Sequence, residues 1–268
     1  MILFLLGLFG LLGAAGVSEL HRQEHAAAEA FHAKLGPESK VRVRFTPSGL
    51  ASLHGDLAAV RVQATHFSLA GFPFFVDPDA PKDGRIKRLQ LNLVNGTVNG
   101  YLVDRFEAEL PAVHYDFHKA SLERETVISE CGEGKFSLRM SGVSLMRAAG
   151  RKFSFLKNPS CRITKGRIYF SAVFGTQSFS LDGTLAVEDG KKLVLTDPHL
   201  ESSFDQPTRT TLLALSRVLF DVDKDFASPG VLTLEQVEPR EGELRITGRI
   251  KLPLRPKDQL LIGATNRK

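Results

Sequence analysis

Cysteine is scarce in this sequence of 268 residues, which contains only Cys131 and Cys161. Two thiols supply too few ligands for a cysteine-based metal site. In an exported protein a single pair of cysteines can form a disulfide, and each of the two lies at the edge of a strand-like stretch. The sequence is therefore compatible with a Cys131–Cys161 disulfide and equally with two buried free thiols.

The signatures of common catalytic sites are also missing. The chain has no G-x-S-x-G motif, no P-loop and no G-x-G-x-x-G motif after a strand. Residues 21–25 match the H-x-x-E-H pattern of zinc peptidases, but they fall in a predicted exposed helix where no cleft would surround a metal. Residues 154–157 match S-x-x-K without its companion motifs. We therefore predict that the protein is not an enzyme and uses no metal or cofactor.

Charged residues are absent from positions 1–17, which form a continuous apolar run. As a helix this run would span about 25 Å, slightly less than the roughly 30 Å core of a bilayer. The small residues Ala14 and Gly16 are typical of a cleavage site, whereas the usual basic residues before the run are missing. The run is either a signal peptide or a short membrane anchor, so we expect an extracytoplasmic protein of the periplasm or cell envelope. The alanine-rich composition of residues 18–37 predicts a helical stalk that ends at a Gly-Pro pair.

Acidic residues are missing between Lys135 and Leu181, a stretch that contains nine Lys and Arg residues. Because the whole chain has a net charge of +5, the rest of it carries 5 − 9 = −4. A clustered excess of this kind indicates a binding surface. Nearby aromatic residues would also suit a nucleic acid, but an exported protein meets anionic lipid head groups instead. We therefore expect a phospholipid or membrane surface as partner, and no nucleic acid.

Residues 38–253 alternate between apolar and polar side chains in many short stretches, the pattern of antiparallel strands with one buried face. The predicted strands are Val41–Phe45, Ala58–Phe67, Leu89–Leu93, Tyr101–Phe117, Ser121–Ile128, Phe136–Met140, Arg167–Phe174, Ser178–Val187, Lys192–Leu195, Val231–Val237 and Leu244–Leu252. Residues 254–268 show no further periodic element and are interpreted as a C-terminal tail.

Two helices are predicted among these strands. The first, Val143–Phe155, has one apolar face and places Arg147, Arg151 and Phe155 on the other. It is either a lipid-facing helix or a core helix with one stray aromatic residue. The second helix has Asp205 as N-cap and runs to Phe220, with apolar side chains over most of its circumference. Such a helix is either buried between layers or forms the wall of an apolar cavity.

Four stretches of the chain together resemble the LmeA-like phospholipid-binding family of bacterial cell-envelope proteins. They are GDLAAVRVQA at 55–64, IKRLQLNL at 86–93, VSLMRAAG at 143–150 and GELRITGRI at 242–250. The resemblance covers about residues 40–252. It implies an exported or anchored phospholipid binder with a curled sheet and helices, similar to tubular lipid-binding domains. The acidic start of the family's middle helix is here replaced by Ser141–Ser144.

From the sequence and this resemblance we expect an α+β fold in which a strongly curled antiparallel sheet wraps one or two helices. An apolar groove would hold acyl chains, lined by Phe170, Phe174, Phe179, Leu181, Leu213 and Phe220. Anionic head groups or the membrane would be bound by Arg147, Arg151, Lys152, Phe155 and Lys157. The alternative is an envelope scaffold or assembly protein whose cations bind a protein or an acidic glycan.

Overall fold

The computed structural model describes residues 20–70, 74–123, 125–226 and 230–255. The predicted leader at 1–17 and residues 256–268 of the predicted tail lie outside them. The fold is α+β and mostly strand, as predicted, with a strongly curled antiparallel sheet. The strands are β1 (Lys40–Pro47), β2 (Asp56–Thr65), β3 (Ser68–Leu69), β4 (Gly84–Val98), β5 (Tyr101–Tyr115), β6 (Ile128–Glu130), β7 (Gly134–Ser141), β8 (Lys157–Thr164), β9 (Arg167–Phe174), β10 (Gln177–Glu188), β11 (Lys192–Ser202), β12 (Val218–Asp221), β13 (Leu232–Arg240) and β14 (Glu243–Ile250).

Four α-helices accompany the strands in the described part of the chain. They are α1 (residues 20–35), α2 (Gly142–Lys152), α3 (Gln206–Ser216) and α4 (Val222–Asp225). A 3₁₀ turn covers Gly49–His54, and a π-helical turn covers Lys119–Glu123.

The strands form two sheets that share one core. The large sheet has the order β1-β2-β4-β5-β7-β14-β13, with β3 beside β4 and β6 beside β5. The small sheet has the order β12-β11-β10-β9-β8 and curls into a half barrel. Leu138 and Ile246 of the large sheet and Leu181 and Leu193 of the small sheet are all buried in one apolar cluster. Burial of these alternating side chains, at about 25 cal/mol per Å², holds the two sheets together.

The longest element is the β4–β5 hairpin, in which each strand has 15 residues. At about 3.3 Å per residue each strand extends for roughly 50 Å. Gly96 lets β4 pass the buried ring of Phe67, because a Cβ atom at this position would lie 2.3 Å from that ring. The turn of the hairpin contacts α2, and its open end lines one of the two cavities described below.

Helix α1 packs against the large sheet and does not stand apart as the predicted stalk. Phe31 and Leu35 are buried, and the buried Glu24 carboxylate accepts a hydrogen bond of 2.8 Å from the Phe45 backbone N–H in β1. The sequence interpretation treated the alanine-rich segment only as a good helix former. It overlooked that Phe31 and Leu35 lie four residues apart and so share one face that needs burial.

Several other elements also differ from the sequence prediction. The predicted helix up to Phe220 ends at Ser216, and Val218–Asp221 forms β12, in which Phe220 pairs with Leu193 of β11. The predicted strand Ser121–Ile128 contains part of the π-helical turn, and its last residue begins β6. Strand β8 was not predicted. The apolar residues 218–220 fit a helix or a strand by periodicity alone, and the pairing of β12 with β11 decides the outcome.

Candidate functional site

An apolar cavity lies between α2, α3 and the inner faces of both sheets; we call it the α2–α3 cavity. It has about 80 Å³ of free volume. No charged side chain is among its described lining residues. Five of the six residues predicted to form an acyl groove line it, namely Phe170, Phe179, Leu181, Leu213 and Phe220. They reach it from β9, β10, α3 and β12, so the predicted residues do converge on one space.

The sixth predicted groove residue, Phe174, lies outside the cavity as part of a row of aromatic rings. Its ring centroid is 5.6 Å from that of Phe155 and 5.9 Å from that of Phe204. Spacings of this size are typical of favourable edge-to-face contacts. The row comprises, in order of contact, Phe153, Phe155, Phe174, Phe204, Phe179 and Phe170. Phe174 and Phe204 thus connect the exposed Phe155 to the buried Phe179.

Large apolar side chains are exposed around this cavity. Phe155 is 46% exposed, Leu215 is 47% exposed and Phe174 is 36% exposed. Phe155 and Leu215 also line the cavity. Single exposed apolar residues are common, but a group of them at the entrance of an apolar cavity indicates a binding surface. We call Phe155, Phe174 and Leu215 the apolar rim.

The predicted cations around α2 fall into two groups. Arg147 and Lys157 are exposed and have no side-chain partner in the part of the chain that the structure describes. Arg151 donates a hydrogen bond of 3.0 Å to the Asn99 carbonyl, and its guanidinium lies 4.9 Å from the centroid of the Tyr101 ring. The Lys152 ammonium donates to the carbonyl of Val218. Arg151 and Lys152 therefore attach α2 to the β4–β5 turn and to β12, a role that the sequence interpretation missed.

The start of α2 is held by a carboxylate that comes from another element. The Ser141 side chain accepts from the Ser144 N–H and caps the helix. Asp104 of β5 accepts from the Ser141 N–H and, at 2.8 Å, from the buried Ser144 hydroxyl. A carboxylate near a helix N-terminus is stabilising. Asp104 thus supplies from β5 the acidic group that residues 141–144 lack.

The two cysteines are free thiols in this structure, so the disulfide alternative is not formed. Cys131 follows β6 of the large sheet, whereas Cys161 lies in β8 of the small sheet and lines the α2–α3 cavity. Burial raises the pKa of each thiol to about 11. Since the thiolate is the reactive form, both groups are expected to react slowly at neutral pH.

A second and larger cavity lies between α1 and the large sheet; we call it the α1 cavity. It has about 360 Å³ of free volume. Ala26, Ala27 and Ala30 of α1 line one side, and Ile86 and Tyr115 of the β4–β5 hairpin line another. The sequence interpretation did not predict this cavity. Its only signal was the run of small side chains in a helix that was taken for a stalk.

Neither a cluster of metal-binding side chains nor a membrane-spanning helix occurs among the residues that the structure describes. No group of three or more His, Cys, Asp or Glu side chains among them is arranged to hold a metal ion. Of the helices that the structure describes, none is long and apolar enough to cross a membrane. Comparison with family models, curated proteins and solved structures found no match to the chain.

Proposed function

We propose that this chain is a non-enzymatic, extracytoplasmic lipid-binding protein that docks on anionic phospholipid surfaces through α2 and the apolar rim. The observation that carries the proposal is the combination, at one place, of an uncharged apolar cavity, three exposed apolar side chains and the cations Arg147 and Lys157. Arg147 precedes the lining residue Ala148, and Lys157 follows the lining residue Leu156. Both cations therefore belong to the same segments that line the cavity, and both side chains are exposed.

The forces at such a surface complement a bilayer. Each Lys or Arg near an anionic membrane contributes about 1 kcal/mol, and each buried methylene group contributes about 0.8 kcal/mol. Phe155, Phe174 and Leu215 supply the apolar part, and Arg147 and Lys157 supply the electrostatic part. Charge then sets the preference for anionic head groups, while apolar burial keeps the protein at the surface.

The size of the cavity limits how much lipid it encloses. A cavity of about 150 Å³ holds one benzene molecule, so the 80 Å³ of the α2–α3 cavity corresponds to roughly three carbon atoms. The end of an acyl chain fits this space, whereas a whole phospholipid does not. We therefore propose surface docking with insertion of a chain end.

Flotation of the full chain with vesicles tests this proposal. Binding to vesicles containing phosphatidylglycerol at low salt should be at least about tenfold weaker for Arg147→Glu/Lys157→Glu, because two attractive contacts become repulsive. The matched control is Lys40→Glu/Lys251→Glu, which changes net charge equally at two exposed lysines away from α2.

Equal losses in the two double variants would show that only net charge matters, and would contradict docking through α2. A wild-type chain that ignores anionic vesicles would contradict the proposal as a whole. That second result would favour the alternative function, an envelope scaffold that binds a protein or an acidic glycan.

A further inference from the structure

The α1 cavity differs from the α2–α3 cavity in size, position and charge. Its described lining includes the cations Arg22 and Lys34 and no carboxylate. We propose that the α1 cavity binds one long-chain fatty acid, with the carboxylate at Lys34 and the chain between α1 and the large sheet. This site is separate from the proposed docking surface, and neither proposal depends on the other.

The space exists because α1 presents small side chains to a wall of large ones. Ala26, Ala27 and Ala30 line the cavity together with the larger Leu57 of β2 and Ile86 of β4. Protein interiors are close-packed, and unfilled voids much larger than a water molecule are few. Bulkier residues at the three alanine positions would fill this gap and would be equally compatible with a helix. The small alanine side chains leave part of this apolar wall uncovered. An apolar ligand that displaces water from the wall would bury both its own surface and that of the wall.

The volume fits one hydrocarbon chain. At about 25 Å³ per carbon atom, the value for benzene in a cavity of about 150 Å³, the 360 Å³ of the α1 cavity corresponds to roughly 14 carbon atoms. This volume is also within the range of about 300–1,000 Å³ that is typical of small-molecule sites. A phospholipid with two such chains would need about twice the space.

The charges at the cavity select an anionic head group. Lys34 is exposed as a residue, but its ammonium turns toward the cavity and lies 5.6 Å from the centroid of the Phe74 ring, where it is partly desolvated. The negative charge of Glu125 acts to raise the pKa of Lys34. The same carboxylate lies 4.0 Å from the Arg255 guanidinium. Desolvation lowers the pKa of Lys34, and the charge of Arg255 lowers it further, with only partial compensation from Glu125. A bound carboxylate would offset both effects, whereas a cationic head group would add to them.

The polar hydroxyl in the wall of the cavity does not compete with Lys34 for the carboxylate of the ligand. The Tyr115 hydroxyl, which faces the same space, already donates a hydrogen bond of 2.9 Å to the Gly55 carbonyl. Burial raises the pKa of Tyr115 to about 12, so this hydroxyl stays neutral. The interior of the cavity is therefore suited to the hydrocarbon chain of the fatty acid, and its rim is suited to the carboxylate.

Displacement of a fluorescent fatty acid, cis-parinaric acid, by palmitate measures binding to the full chain. We expect one site per chain. Ala30→Phe, which fills the cavity, should weaken palmitate binding at least about tenfold. Lys34→Met should weaken palmitate binding about fivefold and leave binding of hexadecanol, the uncharged analogue, unchanged. Lys40→Met is the matched control outside the cavity and should bind both ligands like the wild type.

Thermal melting identifies variants that fail to fold, and Ala27→Leu replaces Ala30→Phe if the larger residue is not tolerated. The proposal is overturned if the wild type binds no palmitate or if a folded cavity-filling variant binds it normally. It is also overturned if Lys34→Met affects palmitate and hexadecanol equally. Loss of palmitate binding in Arg147→Glu/Lys157→Glu, with normal binding in the cavity-filling variant, would place the ligand in the α2–α3 cavity and overturn it as well.

Discussion

Replacing Phe155 and Phe174 together with glutamate is expected to weaken binding to anionic vesicles about 100-fold, or about 3 kcal/mol. The double variant removes two aromatic rings from the apolar rim and places two negative charges against anionic head groups. Phe155 is 46% exposed and Phe174 is 36% exposed, so the fold should tolerate both changes. Flotation at several protein concentrations, with thermal melting alongside, measures the effect.

The control for this variant is Leu50→Glu/Leu254→Glu. Leu50 is 85% exposed and Leu254 is 67% exposed, and the described lining of the α2–α3 cavity includes neither. This control adds the same charge and removes the same number of exposed apolar side chains. If it weakened vesicle binding as much as the rim variant, the apolar rim would have no special role.

Leu35→Ala is expected to lower the free energy of unfolding by about 2–5 kcal/mol, the usual range for truncating a buried leucine. Leu35 has no exposed surface, and it belongs to the same apolar cluster as the strands of the large sheet. Urea unfolding followed by circular dichroism measures the loss. The expected effect is large because α1 is part of the folded core.

The exposed residue His25 on the same helix provides the comparison. Its side chain is 78% exposed, so His25→Ala should change stability by no more than about 0.5 kcal/mol. Were Leu35→Ala equally mild, α1 would be a detached stalk, as the sequence alone suggests. The α1 cavity would then have no fixed wall.

Much of the fold follows from local patterns. Strand β9 has the predicted bounds Arg167–Phe174, because its apolar residues alternate over the full strand and turns lie on both sides. The prediction of α2 is off by one residue at its start and three at its end, and Ser141 caps it through a side-chain hydrogen bond. Where a local pattern has one interpretation, as when apolar residues alternate between two turns, the sequence alone is enough to predict the element.

The remaining differences arise from contacts between distant residues. Phe220 follows a helix in the sequence, but pairing with Leu193 makes it part of a strand. Arg151 and Lys152 look like free cations on a helix face, yet each contacts a carbonyl on another element. The α1 cavity depends on how close α1 lies to the large sheet, a distance that no local pattern specifies. That five groove residues converge on the α2–α3 cavity could be predicted only because each is an apolar residue on the inward face of its strand or helix.

The central claim, that the apolar rim enters the bilayer, is tested most directly by a spin label at position 215. Leu215→Cys can be labelled selectively, because burial raises the pKa of both native thiols to about 11. On anionic vesicles the label should gain contact with dissolved oxygen and lose contact with a water-soluble nickel complex, while a label at Lys40→Cys should not change. A label at 215 that stays equally accessible to the nickel complex on bound vesicles would contradict the claim.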